Sequence, residues 1–201
     1  MNRDELNILA DEYYSVMEIS EEKKKKRKKT AWELFDLFML FFSWFKEAEK
    51  NGIDSTTYFL LKLEDDLQNL IADDMGIDDY FVTYLATVAL GIYTVTMQHK
   101  DEKYYLSEDR AASLALNESL SIHNHLDLKQ AKRAGYNVKI WRTELDNKVR
   151  PTHIVMEGVR KPIDELFVVG GSLMEMPHDI THGAGMSEVA NCRCWLEFTK
   201  E

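Results

Sequence analysis

A change of hydrophobic period at Gly135 is what most limits the folds open to this chain. Before it, apolar residues recur at helical spacing. After it, they alternate or come in short runs bounded by glycines and turn formers. The reading is α+β: a mostly helical N-terminal half, residues 1–104, then a small α+β domain with a short antiparallel sheet, residues 105–201. At 201 residues and 45% hydrophobic, the chain is long and apolar enough to bury a real core.

Within the helical stretch, Leu6, Ile8, Leu9, Tyr13, Val16 and Met17 give residues 4–20 an amphipathic spacing. A helix is also expected over 55–72, capped at Asp54 or Ser55, and a strongly apolar one over 80–98. Gly52 and Gly76 mark the breaks. Ser107-Glu108-Asp109-Arg110 opens a further helix, its acids in the first turn where the helix dipole favours them. That helix runs to about Ile122, and a shorter one over 126–134 stops at Gly135. On this reading His123 and His125 sit at a helix end and His99 at the surface.

Two segments of the first half stand out. Lys23 to Lys29 is seven consecutive cations, readable as a solvated helical face or as a patch for nucleic acid or an anionic membrane surface. The stretch 32–45 is apolar on almost every side of a helix, with Trp32, Phe35, Phe38, Phe41, Phe42, Trp44 and Phe45. It is too short to span a bilayer, so no integral membrane span is expected; a basic run beside aromatics also fits an interfacial helix. A helix apolar all round is buried in a bundle or covered by another subunit. These aromatics are therefore taken as a partner-binding surface, for copies of the chain or another protein. The wider charge balance argues against wrapping nucleic acid by bulk electrostatics, since residues 1–104 hold 13 Lys/Arg against 21 Asp/Glu.

Past Gly135, residues 137–143 alternate as a strand, with Val138 and Ile140 on one face and Trp141 on the other. Asp146-Asn147-Lys148 is turn chemistry. A short strand is expected over 166–169, and the tail 192–198 alternates again. Chemistry concentrates here. Asp146 can take backbone amides or pair with Arg150; Pro151 suits the first position of a helical turn, placing Arg150 at its N-cap and His153 on a shared face. Both cysteines of the protein, Cys192 and Cys194, close the segment Asn191-Cys192-Arg193-Cys194. One intervening residue makes them a poor disulfide candidate, which points to a reducing compartment, and the N-terminus lacks the pattern of a signal peptide.

Three chemistries fit this cluster. His153, Cys192 and Cys194, joined by His178, Asp179 or His182, form a donor set for zinc. A Cys–His nucleophile pair, or His153 as general acid–base with Arg150 on a phosphate, would be catalytic. Otherwise Trp141, Asp146, Arg150, His153, Asp179, Asn191 and Arg193 form a structural polar cluster with the thiols as small buried hydrophobes.

The ordered series Lys139-x-Trp141, Asp146-x-x-x-Arg150-x-x-His153, Gly158, Phe167, Pro177-x-Asp179 and Asn191-Cys192-Arg193-Cys194 resembles the C-terminal domain of the phage Mu F-like minor head proteins, the head morphogenesis family. The resemblance covers residues 105–198. It implies a structural, portal-associated virion protein, found in the virion and the host cytoplasm, with phage portal or capsid proteins as partners and a role in head assembly or DNA delivery. Domains of this kind also occur beside toxin modules, so the resemblance carries an alternative as well: a phage-encoded effector or toxin-like enzyme acting on nucleic acid or nucleotide.

Overall fold

A computed structural model of the chain describes residues 3–15, 17–54, 56–75 and 78–201. Val16, Ser55 and Gly76, used above to bound helices, lie outside the described residues. The chain is α+β, with helices filling its N-terminal part and small antiparallel sheets near its C-terminus. Two compact units form: a helical one from residues 1–7 and 28–116, and a sheet-bearing one from residues 8–27 and 117–201.

The helical unit draws on α2 (Glu21–Lys50), α3 (Thr56–Met75), α4 (Asp79–Gln98), a 3-10 turn at Lys103–Leu106 and the start of α5 (Glu108–Arg133). Its centre is aromatic. Phe35, Phe38, Phe41, Phe42 and Phe45 are all buried, and Phe45 meets Phe41 at 6.1 Å and Tyr93 at 6.4 Å between ring centroids. Each such ring contributes roughly 1.5–3 kcal/mol by leaving water. The phenylalanines read as a partner-binding surface are thus interior; the spacing that covers every side of α2 is met by neighbouring segments of the same chain. Only Trp32 and Trp44 of that set stay half-exposed, with Lys62 Nζ 6.0 Å from the Trp44 ring.

The α4 segment is long and apolar enough to cross a membrane by length and composition. Its buried residues include Phe81, Leu85, Val88 and Ile92, a spacing of three and four that lays one face into the protein. Asp78 caps it, accepting from Phe81 N at 3.0 Å. A buried cation closes this unit: Arg110 lies 5.2 Å from both the Phe42 and Tyr105 rings and donates to Thr96 Oγ1 at 2.7 Å.

In the sheet-bearing unit, three antiparallel strands run in the order β2 (Arg160–Pro162), β1 (Val138–Arg142), β5 (Trp195–Thr199). A separate hairpin joins β3 (Phe167–Val169) to β4 (Ser172–Met174). Gly170 and Gly171, at φ 57° and 88°, supply the two left-handed residues a tight hairpin turn requires. Pro162 is tolerated because β2 is an edge strand. Two one-turn helices, α6 (Pro151–Ile154) and α7 (Met186–Val189), complete the unit, to which α1 (Arg3–Tyr14) contributes its C-terminal half.

Three sequence expectations change here. The strands β2 and β4 escape the pattern because three residues are too few to show a period. The two helices expected around residue 123 are one continuous α5, ending as expected at Gly135 (φ 72°), with Tyr136 N bonded back to Ala131 O at 3.0 Å. His123 and His125 are accordingly mid-helix and buried. The basic run is not a uniformly solvated face either. Arg27 is fully buried and donates to Asp127 Oδ2 at 2.7 Å, Lys23 pairs with the other Asp127 oxygen at 2.9 Å, and Ser119 Oγ donates to the Arg27 carbonyl at 2.6 Å. These contacts tie residues 8–27 to the sheet-bearing unit.

Candidate functional site

The turn after β1 ends in α6, which Arg150 caps and Pro151 opens, as the sequence chemistry requires. Its short helical turn fixes the ring of His153, which is 1% exposed. Against it come the two cysteines of the segment leading into β5. His153 Nδ1 stands 3.5 Å from Cys192 Sγ and 3.5 Å from Cys194 Sγ, and both cysteines are 2% exposed. On the opposite side of the ring, Nε2 meets Glu188 Oε2 at 3.0 Å, and Thr152 Oγ1 donates to the same oxygen at 2.9 Å. Trp141 packs its ring edge-on to His153 at 5.7 Å and to Phe167 at 5.2 Å.

Glu188 was not singled out in the sequence, because nothing in the spacing Met186-Ser187-Glu188 marks it. It lies against the β3–β4 turn: a Cβ on Gly170 would come 2.5 Å from Glu188 Oε1 and push the carboxylate aside, and the φ of 57° there also favours glycine.

The remaining predicted residues frame this centre without entering it. Asp146 does accept a nearby amide, from Lys148 N at 2.9 Å, but its ion-pair partner is Arg193, whose guanidinium reaches both carboxylate oxygens at 2.7 and 2.8 Å. The same Arg193 also binds Glu144. Arg150 donates instead to the Ala190 carbonyl. Asn191, at φ 54°, turns the chain and donates its backbone amide to Asn117 Oδ1 at 2.8 Å. Asp179 organises its own loop: it accepts from Glu175 N at 2.6 Å, Thr181 N at 2.9 Å and Thr181 Oγ1 at 2.7 Å, and pairs with His182 Nδ1 at 2.6 Å. Neither Asp179 nor His182 is therefore free for the thiols.

Two further residues carry weight. His178, buried at φ 69°, donates from Nε2 to the Cys192 carbonyl at 2.5 Å, a carbonyl that the Tyr13 hydroxyl also reaches at 3.0 Å. Lys139 is fully buried; its ammonium donates to the Glu175 carbonyl at 2.8 Å and lies 5.3 Å from the Phe167 ring. Burial pushes its pKa down to about 8. In α5, Asn124 Nδ2 donates to the Cys194 carbonyl at 3.1 Å and the Pro177 carbonyl at 3.4 Å. The polar residues that interrupt the pattern of α5 are what holds the thiol segment.

The electrostatics follow from crowding. Burial disfavours a Cys192 thiolate, but Cys194, His178 and His153 outweigh it and hold its pKa well below the ordinary thiol value. Cys194 is pushed up by its neighbour Cys192 and by burial. The pair thus carries one negative charge more readily than two. Burial opposes a charge on His153, yet the Cys192 thiol and Glu188 raise its pKa above the usual value.

The His153, Cys192 and Cys194 donor atoms lie within 4.8 Å of one another, the only such grouping of three His, Cys, Asp or Glu ligands among the described residues. A nucleophile in this place would have no open path to substrate. Surface concavities lie elsewhere: one of about 710 Å³ beside Lys46, Lys100 and Glu108, another of about 680 Å³ beside Ser20, Tyr136 and Trp195. No family model matches the chain, and neither do the curated proteins or the solved structures with which it was compared.

Proposed function

We propose that this chain is a minor structural protein of a tailed-phage head, associated with the portal or capsid proteins and acting in head assembly or DNA delivery, in the virion and the host cytoplasm. One observation supports the reading above others. Of the residues behind the family resemblance, Lys139, Trp141, His153, Phe167, Asp179, Cys192 and Cys194 are buried, and His153 and the two thiols pack in a closed centre rather than in an open cleft. A buried, interlinked polar cluster specifies a shape; it does not receive a substrate. The effector-enzyme alternative needs His153 or the thiols to reach a ligand, and all three are 2% exposed or less.

With the phenylalanines of α2 inside, the apolar side chains left to meet a head component or a second copy include Tyr58 and Leu61 on α3, at 63% and 60% exposure. The test is to separate assembled heads from the lysate of an infected or induced host and probe the fractions for this chain. It should sediment with heads at low copy number, and a Tyr58→Ser/Leu61→Ser variant should be depleted from them. Recovery of all the protein in the unassembled fraction while heads form normally would overturn the proposal.

A further inference from the structure

The strongest unexplained arrangement in the molecule is one imidazole nitrogen facing two thiols at equal distance. A hydrogen bond accounts for it poorly. A ring nitrogen has one lone pair or one proton, directed along one line, and serves one sulfur well. Here Nδ1 is 3.5 Å from each. In a tetrahedral zinc site, Zn–N of about 2.0 Å and Zn–S of about 2.3 Å set the nitrogen and each sulfur about 3.5 Å apart. The spacing is that of a metal's ligand shell.

A second observation is independent of those distances. Metal-bound histidines commonly donate their other ring N–H to a carboxylate, which fixes the tautomer and aims the lone pair at the metal. Glu188 Oε2, 3.0 Å from His153 Nε2, is in that position, itself held by Thr152. With Nε2 protonated toward Glu188, Nδ1 presents a bare lone pair to the space between the sulfurs.

We infer that His153 Nδ1, Cys192 Sγ and Cys194 Sγ bind a zinc ion that fastens the turn at 151–154 to the segment leading into β5. Binding releases to solvent whatever protons the two thiols and His153 Nδ1 carry, and forms one Zn–N and two Zn–S bonds. Two thiolates balance the dication, so the buried centre is neutral, which suits its burial better than a lone thiolate does. No fourth ligand atom lies within the same span among the described residues, which leaves one coordination position. His178 Nε2 donates to the Cys192 carbonyl at 2.5 Å, and its buried Nδ1 has no hydrogen-bond partner. His178 is therefore a positioning residue for Cys192. The inference is independent of the phage reading, since it rests on the donor geometry alone.

The test is zinc content of the full chain, purified under reducing conditions with zinc supplied and then passed over a chelating resin. About one zinc per chain is expected. It should be lost in His153→Ala and in Cys192→Ser/Cys194→Ser, and kept in His182→Ala. To separate loss of metal from loss of fold in the ligand variants, cobalt is loaded into the unaltered chain as a second readout. The sulfur-to-metal charge-transfer bands and intense visible bands of a tetrahedral thiolate site are expected. Glu188→Gln and His178→Ala, with unchanged circular dichroism, should weaken zinc affinity roughly 10–100-fold. A zinc-free unaltered chain that also gives no cobalt thiolate spectrum would overturn the inference. So would zinc retained in full by the double serine variant, which would mark a surface-bound ion only.

Discussion

The interiors of the two units are built by opposite means. The helical unit is an aromatic core in which Phe38, Phe42, Phe45 and their neighbours exclude water, with Arg110 as its one strongly polar insertion described above. In the sheet-bearing unit, Arg27, Ser119, Asn124, Lys139, His153, His178 and Asp179 are buried, and most of the segments they join have no regular structure. Apolar packing is nondirectional and tolerates substitution; a buried polar network is directional and does not. The first kind of core defines a shape loosely and cheaply. The second fixes particular loops in particular places, which is what a site, or a rigid assembly surface, requires.

The contrast predicts different sensitivities. The largest expected effect is with acid. Burial, helped by Arg27, holds His123 neutral and lowers its pKa to about 3. The unfolded chain takes up that proton below about pH 6.5, while the folded chain does so only near pH 3. Stability of the sheet-bearing unit should therefore be full above pH 6.5 and fall as the pH drops toward 3, by up to about 5 kcal/mol. Burial raises the Asp127 pKa, but Arg27 and Lys23 outweigh it and hold the carboxyl below its usual value, so protonating Asp127 adds to the loss at the acid end. An acid titration followed by tryptophan fluorescence checks this, and His123→Gln should move the midpoint to lower pH.

Next in size, Arg27→Met removes the buried partner of Asp127, leaves it Lys23 alone, and should cost about 3 kcal/mol in denaturant unfolding. Asp179→Asn keeps the shape but weakens the four contacts its carboxylate makes. That change should cost about 1.5–3 kcal/mol and loosen the 175–182 loop, visible as faster amide exchange at Glu175 and Thr181. The smallest effect belongs to the aromatic core: Leu34→Met, at a fully buried position, should cost less than about 1.5 kcal/mol. Equal costs for Asp179→Asn and Leu34→Met would erase the distinction between the units.

The same contrast explains what could be read in advance. Helices α3 and α4 were legible because apolar spacing builds them, as was the aromatic 32–45 stretch of α2 but not its basic start, and Ser107 and Gly135 announced the ends of α5. Its middle was not legible. His123, Asn124 and His125 look like a helix end until the thiol segment that Asn124 holds is in place. Arg27 hid in a run of seven cations because its partner, Asp127, is 100 residues away. In the site, residue types pointed to His153, Cys192 and Cys194, and the cap at Arg150 was readable from Pro151. The pairing of Asp146 with Arg193 rather than Arg150, and the whole role of Glu188, depend on how β5, α6 and α7 pack, which local spacing does not encode.

The account stands on the thiol segment being sealed against His153, and the reaction rate of Cys192 and Cys194 with a water-soluble thiol reagent measures that directly in the purified native chain. Both should react more than about a hundredfold slower than they do in denaturant, an opening free energy above about 3 kcal/mol. Reaction of either thiol at the denatured rate would mean that the knot is open, and the structural reading of this region would fail with it.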